Sequence, residues 1–209
     1  MERVLLDDGT NLFNVLYRVV QQHKATFDRI VQYLRVIYPA LTSVEPKEVG
    51  DFLTLQFQEN NGVFYPTQVS DGTLRALAVL VALFQPGANG GAVSFVGLEE
   101  PETALHPAAA GVLFDALREA SASLQVMATT HSADLLDKKE IDTDSILAVE
   151  QEKGMTRIGH VDHTGRQALK EQLYTAAELM RMNYLRPELS QDPENSDMES
   201  VLFGDPVPA

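Results

Sequence analysis

Phe95-Val96-Gly97-Leu98-Glu99-Glu100-Pro101-Glu102 decides the fold, because an apolar run over 93–98 ends abruptly in two adjacent carboxylates. A short uninterrupted apolar run predicts a central parallel strand covered on both faces. Burying charge without a cation or donors to meet it is expensive, so two carboxylates at the strand's end mark either a ligand site or the start of a solvated loop. Ligands of parallel α/β sheets gather at the carboxyl ends of the strands, which is where Glu99 and Glu100 stand.

The surrounding pattern extends that sheet. A helix is expected over 108–120, a strand over 124–129, a short helix near 133–137 and a strand over 145–149. Strand–helix–strand alternation of this length implies a parallel α/β sheet flanked by helices. Upstream, a helix over 71–84 is almost wholly apolar (Leu74, Leu77, Ala78, Leu80, Val81) and should be buried on most sides. Before it come a strand over 52–58, with Leu53, Leu55 and Phe57 alternating against polar residues, an Asn60-Asn61-Gly62 turn and an extended run over 63–65. Apolar residues at helical spacing over 11–22 and 26–38 predict an N-terminal helical hairpin (11–38) ended by Pro39. Residues 167–182 read as mainly helical.

Composition excludes several classes. The 209 residues suit one domain, here 1–187, and the 44% hydrophobic and 22% charged content is that of an ordinary globular chain. There is no cysteine, so no disulfide framework, thiol nucleophile or cysteine metal site. No stretch matches a membrane span or a secretory leader, and a cytoplasmic location is expected. The net charge is −14; Glu188, Asp192, Glu194, Asp197, Glu199 and Asp205, with no Lys or Arg among them, supply −6 of it and leave −8 for the rest. Residues 188–209, acidic and with three prolines, read as a disordered tail. An acidic surface repels phosphate backbones, so direct nucleic-acid binding by this chain is not expected.

Two further segments carry chemistry. Gln68-Val69-Ser70-Asp71-Gly72-Thr73 opens the apolar helix, where free N–H groups form an anion site and Ser70 with Gly72 permits close approach of a phosphate; it is also a plain N-cap sequence. Val126-Met127-Ala128-Thr129-Thr130-His131-Ser132 is a strand ending in hydroxyls and a histidine, which suits a γ-phosphate contact or an ordinary loop residue. His160 and His163 lie three apart with no third ligand nearby, a poor metal site.

Taken together, the order and spacing of these segments are more specific than any one alone. Val69-Ser70-Asp71-Gly72-Thr73 resembles the ABC-type signature. Leu98-Glu99-Glu100-Pro101-Glu102, followed by Leu105-His106-Pro107, is similar to the Walker B motif and D-loop of RecF-like AAA family ATPases. Thr129-Thr130-His131-Ser132 is similar to their switch, or H-loop. The resemblance, to the C-terminal lobe of an ABC/SMC/RecF-like P-loop ATPase, spans about 6–187, with Asp8-Gly9-Thr10-Asn11-Leu12 matching the usual lead-in.

That resemblance implies a set of roles. Glu99 would be the Mg²⁺-side carboxylate acting through water, Glu100 the general base or water-positioner, and His131 the γ-phosphate sensor. Ser70 and Gly72 would contact the γ-phosphate of ATP held by the opposite protomer of a head-to-head homodimer. Leu105-His106-Pro107 would line the dimer seam. ATP and Mg²⁺ are the implied ligands, and DNA repair or defence the implied setting.

Two residues depart from the pattern. Glu99 stands where the family more often has Asp, and Asp71 where transporter signatures have Gly; Asp71 is expected to cap its helix. No G-x-x-x-x-G-K-[ST] occurs, and Gly87-Ala88-Asn89-Gly90-Gly91, which has no lysine, reads as a connector. A Walker A lobe from missing N-terminal sequence or from a partner chain would therefore be needed for hydrolysis. The alternatives are a non-catalytic interaction module from a truncated or split ATPase, and a metal-dependent phosphoesterase using Glu99, Glu100 and His131 directly.

Overall fold

A computed structural model describes residues 4–60, 62–87, 93–139, 141–152 and 154–188. The chain divides into two compact units, Met1–Asp137 and Lys138–Ala209, where the sequence pattern suggested one lobe over 1–187.

The first unit opens with the anticipated hairpin, α1 (Leu12–Gln22) and α2 (Lys24–Ile37), broken at His23 with φ −138° and ψ 59°. Leu12, Val15, Leu16 and Val19 lie on one stripe of α1 and are all buried, as are Phe27, Ile30 and Leu34 of α2. An antiparallel sheet follows, of β1 (Leu41–Val49), β2 (Phe52–Glu59) and β3 (Gly62–Phe64). β2 and β3 follow from their patterns; β1 does not. Its sequence is polar and holds Pro46, and only Leu41 and Val44 are buried, so it lacks a clean alternation; as an edge strand it tolerates the missing N–H.

The apolar helix is α3 (Asp71–Phe84), with eight of its residues buried. It shares a continuous core with α1, α2, the β1–β2 pair and α4 (Pro107–Ser121). Arg29 of α2 grips Glu119 of α4 with two bonds, Nε to Oε1 at 2.8 Å and Nη2 to Oε2, while Tyr33 Oη donates to the same carboxylate at 2.7 Å. The Tyr33 ring also stacks on Phe84 of α3 at 5.6 Å between centroids, so three helices meet at one aromatic pair.

β4 (Phe95–Glu99) pairs in parallel with β5 (Gln125–Thr129), Phe95 opposite Gln125 and Glu99 opposite Thr129. The strand was expected to be covered on both faces, and it is not. Val96 is buried and Leu98 half-buried, but Phe95, Gly97 and Glu99 are exposed together with Gln125, Met127 and Thr129 of β5. Among the described residues, helices cover one face of this pair, and neither strand has a second neighbour. Residues 133–137 form turns rather than a helix.

The second unit corrects two expectations. The strand predicted over 145–149 is β6 (Leu147–Glu152), and it joins β7 (Met155–His160) in an antiparallel hairpin instead of extending the parallel sheet. Gly154, at φ 82°, supplies the left-handed geometry that the tight turn needs. The helix expected over 167–182 is two helices, α5 (His163–Lys170) and α6 (Ala176–Arg181). Gln172 at φ 55° breaks the run, and a Thr175–Glu178 capping box starts the second helix. Pro187 bridges Val161, and Arg166 holds Glu188 at 2.5 Å. Beyond Glu188 the tail lies outside the described residues, as does most of the glycine-rich 87–91 connector.

Candidate functional site

The carboxyl ends of β4 and β5 lie side by side, and the two carboxylates separate there. Glu99 keeps the strand's alternation and points to the open face with Phe95 and Gly97. Glu100 leaves it at φ 41°, a left-handed conformation costing a non-glycine residue roughly 1–2 kcal/mol. Its N–H donates to Thr129 O at 3.0 Å, which fastens the turn to the end of β5. The Glu100 carboxylate then accepts from Thr103 Oγ1 at 3.1 Å through Oε2, while Oε1 sits 3.7 Å from His131 Nε2. That separation allows electrostatic pairing but exceeds a hydrogen bond, leaving room for both groups to address a third species. The His131 side chain is 88% exposed and that of Glu100 42%, so both are open to a ligand.

A second link joins the same two segments. Thr130 Oγ1 donates to Glu102 Oε1, and Ser132 N donates to Thr130 Oγ1 at 2.9 Å. Glu102 Oε2 is buried and has no hydrogen-bond partner among the described residues.

α3 approaches from the other side. Ser70 is its N-cap, with extended backbone at φ −68° and ψ 149°, and its Oγ accepts from Thr73 N at 3.2 Å. The cap is thus Ser70 and not Asp71, which already lies in the helix's first turn, where it is exposed and favourably placed for the helix dipole. Gly72 is buried; a Cβ built on it would lie 2.3 Å from Ala104 O. One turn on, Arg75 Nη2 donates to the carbonyls of Glu99 at 3.0 Å and Glu100 at 2.9 Å. His106 caps α4 by accepting from Ala108 N at 3.2 Å through Nδ1, with Pro107 in the first helical turn.

Glu100 and His131 therefore meet directly, and the start of α3 lies against 99–105. Glu99 and Ser70 are exposed at the same end of the unit, whereas Gly72 touches its own chain. Arg75, Glu102, Thr103 and Thr130 were not singled out by sequence reasoning. Arg75 left a signal, as the one cation in α3; of the others, the Thr130–Glu102 bond crosses between segments and leaves none, while Thr103 reaches Glu100 within one local turn. Among the described residues, no group of three or more His, Asp or Glu is arranged to hold a metal alone, and His160 and His163 do not form one. No helix of the described residues is long and apolar enough to cross a membrane.

Comparison with known proteins bears on the family and the fold. Residues 2–137 match the family model described as "AAA domain, putative AbiEii toxin, Type IV TA system". No curated protein matches the sequence. Among solved structures, one from work on ATP-driven dimerization and DNA-stimulated activation of SMC ATPases has a TM-score of 0.54 at 14% identity, covering 76% of this chain and 96% of that one. The Smc head of Pyrococcus furiosus with an extended coiled coil, bound to the C-terminal domain of ScpA, gives 0.56 at 14% identity over 77% of this chain and 40% of that one. The Smc head of Pyrococcus yayanosii gives 0.53 at 17% identity over 77% and 31%. This chain thus spans well under half of the two Pyrococcus chains, and at these identities the likeness is one of fold. The chain folds as an SMC-type head does, and its first unit makes it a member of the AAA domain family.

Proposed function

We propose that this chain supplies the signature, Walker B and switch half of an ATP-hydrolysing site, completed by a Walker A lobe. The observation that carries this reading is the Glu100–His131 pair, 3.7 Å apart at the carboxyl ends of two parallel strands. Glu100 polarises the attacking water and takes its proton as the water oxygen adds to the γ-phosphorus and the bond to the β-phosphate oxygen breaks. His131 contacts the γ-phosphate. Glu99, whose carboxylate is exposed on the open face, holds Mg²⁺ through water. An ion held there would supply charge neutralisation at the phosphate oxygens. Among the described residues no group of three or more candidate ligands is found, so Glu99 would be this chain's own contribution to holding the ion.

The open face of the β4–β5 pair supports the need for a second lobe, since it presents Phe95 and Met127 next to Glu99. Ser70, exposed at the start of α3, faces the ATP of an opposite protomer in a head-to-head dimer, and Gly72 contributes through its backbone. ATP joins two heads and hydrolysis releases them, work that DNA repair or defence would use.

The test is Glu100→Gln in the chain assembled with a Walker A lobe. ATP should still bind and the dimer should persist, because the phosphate contacts remain while the proton acceptor is gone. Turnover unchanged from wild type would remove Glu100 from the mechanism.

A further inference from the structure

We infer that Glu102 is a positioning residue that sets His131 against Glu100 through the Thr130 hydroxyl; the inference rests on the ATPase reading for its consequence and on geometry for its existence. His131 is 88% exposed, so no packing fixes its side chain and its place is inherited from the backbone of 130–132. That backbone is held by one hydroxyl used in both directions: Thr130 Oγ1 accepts from Ser132 N at 2.9 Å and donates to Glu102 Oε1. The residues Thr130 and Ser132 flank His131, so the hydroxyl closes a small loop around it and Glu102 pins that loop to the segment carrying Glu100.

The position of Glu102 suits this task. It lies two residues beyond Glu100, across a turn whose Thr103 N–H bonds Glu100 O at 3.0 Å. Thr103 Oγ1 also holds the Glu100 carboxylate at 3.1 Å. One short turn thus fixes the carboxylate of Glu100 through Thr103 and the loop of His131 through Glu102. The 3.7 Å gap between the two reactive groups is maintained by this flanking link, since they make no hydrogen bond to each other. Two groups placed side by side in this way can both face a third species beside them. A direct Glu100–His131 bond would have to break on each turnover.

The link can be tested without hydrolysis. Amide hydrogen exchange at Ser132, followed by NMR in the full chain, reports the Thr130 acceptor directly. Thr130→Val and Glu102→Ala should each speed that exchange roughly tenfold. Thr130→Ser, which keeps the hydroxyl, and Glu102→Gln, whose amide oxygen still accepts, should match wild type. Ser132 exchange unchanged in Glu102→Ala would overturn the link. In the assembled ATPase, Glu102→Ala should lower kcat about 10- to 100-fold with little change in KM for ATP. In a His131→Ala background it should cost nothing further; an added loss there would show that Glu102 acts elsewhere and would overturn the positioning role. If His131→Ala alone leaves turnover intact, the ATPase assignment of His131 fails, and the link is still decided by Ser132.

Discussion

The Cα of Gly72 lies so near the carbonyl of Ala104 that an added Cβ would meet the oxygen at 2.3 Å. Both sides of this contact are backbone, so no flexible side-chain end can move aside. Gly72→Ala should therefore destabilise the chain by about 1–3 kcal/mol, the usual cost of overpacking. The corresponding fall in Tm, about 2–4 °C per kcal/mol for a chain of this size, is measurable by circular dichroism. A Tm equal to wild type would mean that α3 does not sit on the 104–105 turn.

Ala104 itself adopts φ 68°. Ala104→Gly relieves a left-handed alanine but loosens the unfolded chain, and the two effects leave a net gain of up to about 1 kcal/mol. Ala104→Val, branched at Cβ, should instead lose stability. In combination with Gly72→Ala, the added freedom at Ala104→Gly should recover part of the loss, so the pair is non-additive. Strict additivity in thermal melts would count against the contact.

Much of this arrangement was legible in the sequence, and the legible parts share a cause. Buried periodic stripes such as Leu12–Val15–Leu16–Val19 and the apolar α3 announce themselves because one chemical property repeats along the chain. Strand ends at Glu99 and Thr129 were readable because apolar runs stop there. β1 was hidden because Glu45, Pro46, Lys47 and Glu48 belong to an edge that is mostly solvated. Which strand β6 pairs with was also hidden, because partner choice is settled by Gly154 and the hairpin it closes. At the site, residue types pointed to Glu99, Glu100 and His131 as candidates, but the bonds from Arg75 to the Glu99 carbonyl and from Thr130 to Glu102 join segments far apart in the chain, and their partners cannot be read locally.

The Arg29–Glu119–Tyr33 cluster should give stability a pH signature at both ends. The Arg29 guanidinium, together with the Tyr33 hydroxyl, holds the Glu119 carboxyl below its usual value, while burial opposes it. A depressed carboxylate contributes stability that is present above the unfolded value near pH 4.5 and lost as pH falls through the folded one. Tyr33 is pushed up to about 12, first by burial and then by its bond to Glu119. Its contribution is present below pH 10 and lost as pH rises from 10 toward 12. Both ion-pair side chains are 39% exposed, so screening should keep the acid effect below about 1 kcal/mol. Urea midpoints against pH should lose part of their acid slope in Arg29→Met and part of their alkaline slope in Tyr33→Phe.

Arg75 separates stability from activity. Its guanidinium bonds the carbonyls of Glu99 and Glu100 at an exposed position, where water can replace it. Arg75→Ala should then cost no more than about 1 kcal/mol in urea unfolding. The carbonyls it holds belong to the two proposed catalytic-end carboxylates, so turnover of the assembled ATPase should fall about tenfold or more. A large loss of stability with unchanged turnover would assign Arg75 to the fold alone.

The open face of β4–β5 makes the final prediction. In parallel register, Phe95, Gly97 and Glu99 share a face with Gln125, Met127 and Thr129, and Phe95 and Met127 are 48% and 55% exposed. Two large apolar side chains on a sheet whose described strands have no outer neighbours form a surface that associates unless something covers it. The isolated chain should therefore self-associate with rising concentration in sedimentation velocity. Phe95→Ser with Met127→Ser should reduce that association while leaving helix content unchanged, since neither side chain belongs to the buried core. If a Walker A lobe covers this face, the same double variant should also assemble with it more weakly. A wild-type chain that sediments as a heat-stable monomer would mean that the face is content in water, and the case for a covering lobe would lose its structural support.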